Sequence, residues 1–139
     1  MSDLNAYLTF NGSCAEAMRF YVDTLQGRME AMLTMGESPL AAQLPPAAAG
    51  RIMHARAVIN GRVLMASDAM PGQPSAGMSG FSLTLVYRSV PEATRIFTAL
   101  AAGGTITMPI QKTFWAEAFG MLTDRFGTPW MVSTSEQTS

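Results

Sequence analysis

The sequence predicts an α+β fold of two tandem β-α-β-β-β modules. Three observations lead there. The pattern S-x-x-E opens an amphipathic stretch at Ser13-Cys14-Ala15-Glu16 and again at Ser89-Val90-Pro91-Glu92, 76 positions later. A short extended segment precedes each, Asn5–Phe10 and Gly80–Tyr87. Each half then closes on two extended segments joined by a turn. The 139 residues are expected to form a single domain, with module one at about 4–68, a linker at 69–79 and module two at about 80–134.

Each element has a local reason. In S-x-x-E the Ser side chain takes an orphan N–H of the first turn, and the Glu reaches back to the cap. The first helix then carries Cys14, Ala17, Met18, Tyr21, Val22 and Leu25 at helical spacing, and Gly27 supplies a stop. The second begins with Pro91 in its first turn and runs to Gly103-Gly104. Strands follow at Met29–Met35 and Thr105–Ile110. Asn60-Gly61 between Met53–Ile59 and Arg62–Ser67 is a strong two-residue hairpin signal. The aromatic stretch Phe114–Val132, turning at Asp124-Arg125-Phe126-Gly127, forms the second hairpin. At the common offset Glu16 matches Glu92, Ala17 matches Ala93, Arg19 matches Arg95 and Gly27 matches Gly103, which points to an internal duplication. Gly36–Gly50 is the longest irregular loop, either functional or mobile and a candidate lid. Thr134–Ser139 is expected to be a frayed polar tail.

Composition excludes several classes. A formal net charge of −1 argues against nucleic acid or an anionic membrane as partner. No apolar run approaches the roughly 20 residues needed to span a bilayer. One cysteine rules out an internal disulfide, and residues 1–30 show no signal peptide, so a cytoplasmic location is expected. Twelve methionines suit core and dimer packing or a deformable apolar pocket.

Phe114-Trp115-Ala116, Phe119-Gly120 and Asp124-Arg125-Phe126-Gly127-Thr128-Pro129-Trp130 carry a family resemblance, supported by Tyr7-Leu8-Thr9-Phe10, Phe20-Tyr21 and Ser67-Asp68-Ala69-Met70. Over residues 4–133 the chain resembles PhnB-like proteins of the vicinal oxygen chelate superfamily, which includes glyoxalase I, bleomycin- and fosfomycin-resistance proteins and extradiol dioxygenases. The resemblance implies modules curling around a cavity and a homodimer. It also implies a divalent metal held by four His or Glu side chains, and those positions fall on Ala6, Ser82 and near Met65 and Met131. These are not ligands for such an ion. No metal site is therefore expected, and no cofactor; a divalent metal is the lesser alternative. Methyl transfer, from which the branch takes one label, is not expected, because no glycine-rich strand-to-helix turn of a nucleotide-like cofactor site is present.

Strand alternation predicts a pocket lined by Ala6, Leu8, Phe10, Val63, Met65, Ser67, Ser82, Thr84, Met131 and Ser133, with Phe81, Leu83 and Leu85 facing the second helix. Trp115 and Glu117 stand at the entrance of the last hairpin, where they would bind a cationic or planar ligand or make a dimer or inter-module contact. His54, the single histidine, is a weak candidate for a general base, with Arg56 on its face, against the alternative of a half-exposed strand residue. Cys14 is either a thiol activated by the helix N-terminus or, preferably, a small apolar residue in the buried stripe. Asp68 and Asp124 read as turn residues. The expected function is metal-independent binding of a small, largely apolar molecule. The alternative is a superfamily enzyme of lyase, isomerase or dioxygenase type, with a non-standard metal site or His54 as base.

Overall fold

In a computed structural model, residues 3–72 and 77–135 are described, and they divide between two compact units, 1–76 and 77–139. Residues 73–76 of the expected linker and 136–139 of the expected tail lie outside the described residues.

The first unit runs β1 (Ala6–Phe10), α1 (Cys14–Leu25), β2 (Arg28–Thr34), β3 (Ile52–Ile59) and β4 (Arg62–Asp68). The second runs β5 (Leu83–Tyr87), α2 (Val90–Ala101), β6 (Thr105–Gln111), β7 (Phe119–Thr123) and β8 (Pro129–Thr134). The sheet orders are β1-β4-β3-β2 and β5-β8-β7-β6, the same arrangement twice. In each, the first strand pairs parallel with the last and the other pairings are antiparallel. Both sheets are open and four-stranded, with one helix each, so the α+β class and the repeated β-α-β-β-β order hold.

Burial in the first unit follows from alternation. Ala55, Ala57 and Ile59 of β3 are buried, and the residues between them, His54, Arg56 and Val58, are half-buried. Leu64, Ala66 and Asp68 of β4 repeat the pattern. The buried set packs against Cys14, Ala17, Met18, Tyr21 and Leu25, the apolar stripe of α1. Small alanines on the strands let the helix approach closely. In the second unit Ala93, Ile96, Phe97 and Leu100 of α2 cover Leu122, Trp130 and Val132.

Turn chemistry behaves as expected at Asn60-Gly61, where both residues have positive φ (52° and 77°), the type I′ requirement. Elsewhere the mechanism differs. Ser13 makes no side-chain cap bond to α1, whereas Ser89 does accept the N–H of Glu92, at 3.3 Å. The left-handed residue after α1 is Gln26, not Gly27. Gly27 is needed for another reason: a Cβ there would lie 2.7 Å from both Val58 O and Ile59 Cγ1 on β3. A reciprocal capping box does occur, at Thr34 and Glu37, where the 36–50 loop begins. That loop contains three short 3-10 turns at Met35–Glu37, Ala41–Gln43 and Pro46–Ala48. Met35 and Ala48 are buried, and the N–H groups of Met35 and Gly36 bond to Arg51 O and Ala49 O at 2.7 and 3.0 Å. It is a folded strap. At the C-terminal end, Thr134 is not frayed; it is buried in β8 and bonded through its N–H to Ala118 O at 2.9 Å.

Candidate functional site

The face of the first sheet turned away from α1 is built by register. Tyr7 pairs with Met65, which pairs with Arg56; Thr9 pairs with Ser67. Alternation places Tyr7, Thr9, Met65, Ser67, His54 and Arg56 together on that side, with Leu33 opposite His54 on β2. Its apolar part is Met65 with Val63 and Val58, all half-buried, and Tyr7, Thr9, Ser67, His54 and Arg56 bring polar groups beside it. The Tyr7 hydroxyl and His54 Nδ1 are 3.3 Å apart, and the two rings stack with centroids 5.9 Å apart. Reaching across β4, this pair joins residues 47 positions apart in sequence. Beside it Arg56 Nε donates to Glu30 at 2.9 Å, as does Arg28 Nη2. The bonds from Arg28 and then Arg56 hold the Glu30 carboxyl below the usual carboxylate range.

The expected lining is corrected here. Ala6 and Leu8 do not share a face with Met65 and Ser67. Leu8 pairs with Ala66 and Phe10 with Asp68, so all of β1's even-numbered residues lie on the helix side, where Leu8 and Phe10 are buried. The cause is one residue of loop. The β1–α1 connection has three residues (11–13) and the β5–α2 connection two (88–89). Helices are therefore offset by 76 (14 to 90) but first strands by 77 (6 to 83). The offset of 76 that ties Ala6 to Ser82 therefore crosses parity, linking an inward position of β1 to an outward one in the second unit, and Tyr7 is missed.

In the second unit the expected parity holds in the strands. Thr84 pairs with Met131, and Ser133 with Val86, on the side away from α2; Leu83 and Leu85 share the other side with Trp130 and Val132. Ser82 precedes β5, and Phe81 is 43% exposed instead of packed under α2. The Ser133 hydroxyl donates to Thr134 O at 2.7 Å, so it is not a free pocket group. Trp115 and Glu117 precede β7. Trp115 meets Phe119 edge-on at 5.2 Å and Phe114 at 4.6 Å, while Glu117 is exposed.

The two aspartates do more than shape turns. Asp68 Oδ1 accepts the N–H groups of Gly12 and Cys14 at 2.8 and 3.0 Å, and Oδ2 accepts that of Ile52 at 2.9 Å. Asp124 accepts from the N–H groups of Phe126 and Thr128 and from Trp130 Nε1, at 2.8, 3.1 and 2.8 Å. Cys14 is fully buried, and burial, with the Asp68 charge second, pushes its thiol up to about 12. The apolar alternative for Cys14 is therefore the structural one.

The donors present do not fit the family-type metal. The sheet faces turned away from the helices offer Tyr7, Thr9, Met65 and Ser67 in one unit and Thr84, Val86, Met131 and Ser133 in the other, on the first and last strands. Hydroxyls and thioethers do not suit a hard or borderline divalent ion, and the one imidazole beside them, His54, is engaged at Nδ1 by Tyr7. Among the described residues no three His, Cys, Asp or Glu side chains converge to hold one. A separate groove of about 310 Å³ lies between α1 and β2, lined by Arg19, Val22, Asp23, Met29 and Met32. It contains none of the expected lining residues, and its one bond across is Arg19 Nη2 to Met32 Sδ at 3.7 Å.

Comparison with known proteins agrees over nearly the whole chain. Residues 2–133 match the family model described as 3-demethylubiquinone-9 3-methyltransferase. Protein YjdN of Escherichia coli (strain K12) is 41% identical, with 96% of each chain covered. The crystal structure of protein PA1353 from Pseudomonas aeruginosa superposes with a TM-score of 0.89 at 47% identity, covering 97% of this chain and 98% of that one. A putative 3-demethylubiquinone-9 3-methyltransferase, PhnB protein, from Bacillus cereus gives 0.82 at 25% identity, covering 96% and 100%. The fold alone is shared with a glyoxylase/bleomycin resistance protein/dioxygenase domain from Frankia sp. EAN1pec, at 16% identity and a TM-score of 0.68 over 100% and 96% of the two chains.

Proposed function

The chain belongs to the 3-demethylubiquinone-9 3-methyltransferase family, the PhnB-like group with the vicinal oxygen chelate fold, and from that premise we propose that it binds a small molecule without a metal, on the open face of its first sheet. The observation that carries this is the Tyr7–His54 hydrogen bond, two convergent polar side chains meeting over Met65 and Ser67, with Val63 and Val58 extending an apolar patch on the same face. A few placed polar groups on an otherwise apolar surface are what orient a small ligand. Thioether floors adapt to ligand shape.

Methyl transfer, as in the family's description, is not our reading. A nucleotide-like cofactor sets its phosphates on the free N–H groups opening a helix. At α1 those of Gly12 and Cys14 already belong to the Asp68 carboxylate. Among the described residues the sheets are two mixed four-stranded ones, with no doubly wound parallel sheet.

One experiment tests the binding reading. Purified full-length protein is assayed for metal content and then titrated with planar apolar small molecules, followed by thermal shift and by NMR signals of Tyr7, His54 and Met65. Ligands should raise the melting temperature by mass action, and the shifts should centre on those three residues. Tyr7→Phe with His54→Gln should weaken binding with little change in stability. A stoichiometric divalent ion that stabilises the protein would overturn metal independence.

A second reading draws on the same bond. A base must be held by an orienting group, and Tyr7 holds His54. If the protein is a superfamily enzyme, His54→Gln should lower turnover far more than it lowers ligand affinity. The single cysteine, buried and free, accords with a reducing cytoplasm. No helix among the described residues is long and apolar enough to cross a membrane. The homodimer usual in the superfamily is part of the proposal, to be checked by light scattering.

A further inference from the structure

The open face of the first sheet is locally positive although the chain's formal net charge is −1. Arg28 pairs with Val58 and thus stands on the same side as Arg56; between them is one carboxylate, Glu30, bonded to each at 2.9 Å. Two guanidiniums against one carboxylate leave one positive charge over. Arg56 engages Glu30 through Nε; among the described residues its two terminal nitrogens have no hydrogen-bond partner. Those nitrogens are donors of the kind that grip a carboxylate in pairs.

Position adds a size. Tyr7, Met65 and Arg56 form one row across β1, β4 and β3. Two strand spacings separate the backbones of the outer two, about 9–10 Å. Tyr7 already leans across β4 to His54, on the strand of Arg56, so a ligand held by both Arg56 and that pair is small, a single flat ring bearing a carboxylate. Met65 lies under its middle.

We propose that the ligand of this face is a small organic monoanion, a carboxylate on one flat apolar ring. Its carboxylate sits on Arg56, its ring lies on Met65, and its far edge meets the Tyr7–His54 pair. This rests on the open face being the ligand site. Glu30 occupies one donor of Arg56 and competes with the ligand, so it sets the affinity from the rim.

The test compares benzoate with benzamide, which has the same shape and no charge. Full-length protein is titrated with each, reading the NMR signals of Tyr7, His54 and the Met65 methyl. Benzoate should bind about tenfold more tightly than benzamide, an advantage that added salt reduces. Arg56→Gln should weaken benzoate about tenfold and benzamide by much less, so that the two probes bind alike. Glu30→Gln should tighten benzoate by about threefold, since the competing negative charge beside Arg56 is gone while an acceptor oxygen remains. Both variants are at exposed ends of side chains, and circular dichroism confirms that they fold. Equal binding of the two probes overturns the monoanion and leaves the open-face reading standing. An advantage that survives Arg56→Gln also overturns it. If neither probe shifts these signals, the open-face reading falls too. The same follows if they move only with protein concentration, which would mean that a second copy covers the face.

Discussion

Asp68 accepts the backbone N–H of Cys14 at 3.0 Å, so the first helix is capped from a strand 54 residues downstream. The adjacent Ser13, which heads the sequence's capping box, makes no side-chain bond to the helix. A carboxylate near the first turn also interacts favourably with the helix dipole. The same group holds Ile52, the first residue of β3, so one side chain joins the starts of a helix and a strand to the end of β4.

Asp68→Ala should destabilise the protein by about 2–4 kcal/mol, because buried N–H groups lose their acceptor. Asp68→Asn should cost less, retaining one acceptor oxygen. Ser13→Ala should change stability by less than about 0.5 kcal/mol, in contrast to an ordinary cap residue. Urea unfolding of the three variants measures this directly. A Ser13→Ala loss comparable with that of Asp68→Ala would refute the cap assignment.

Cys14 gives a pH prediction. Its thiol is raised from 9.0 to about 12 in the folded protein. Below pH 9 both folded and unfolded chains hold the proton, and the group's contribution is constant. Between 9 and 12 only the unfolded chain ionises, so stability falls as pH rises through that window. Cys14→Ala should remove this part of the alkaline decline, seen as a difference between the two unfolding curves. At neutral pH, Ellman's reagent should label the native thiol only as fast as the protein opens.

The 36–50 strap can be separated from a mobile lid with two glycines. A Cβ on Gly36 would lie 2.9 Å from Ala49 O and 3.2 Å from Ala49 Cβ, whereas one on Gly50 meets nothing within 4 Å. Gly36→Ala should cost about 1–3 kcal/mol through crowding. Gly50→Ala should be neutral or stabilise by up to about 1 kcal/mol through the unfolded chain. Equal, negligible effects on the denaturation midpoint would mean the strap yields as a lid does.

Gly120 in β7 should be as intolerant as any core residue. An added Cβ would meet Phe97 Cε2 at 2.6 Å and Ile110 Cα at 2.9 Å, fixing α2 and β6 at close range. Gly120→Ala is expected to lose about 2 kcal/mol or more, with a lower melting temperature. Gly120→Ala with Phe97→Leu should recover part of the loss if the ring is the obstacle.

The parts legible in sequence were those with a short-range cause. The apolar stripe Cys14–Leu25 follows from helical period, and the hairpin at Asn60-Gly61 from two residues that accept positive φ. The aromatic hairpin was found where its turn is, at Asp124–Gly127, although its first strand starts at Phe119 and not at Phe114. The Thr34–Glu37 box was legible too, as T-x-x-E, but lay outside any expected helix.

The sequence by itself determined the α+β class and the repeated order of elements, because periodicity and turn chemistry act over a few positions, and the motifs of its last hairpin carry the family resemblance. Tertiary structure decided which face each strand turns outward. It paired Tyr7 with His54 and gave α1 its cap from Asp68. In a strand every side chain changes face with a one-residue slip. A single extra residue between β1 and α1 was therefore enough to move the candidate site from Leu8 to Tyr7, and only the pairing with β4 reveals it.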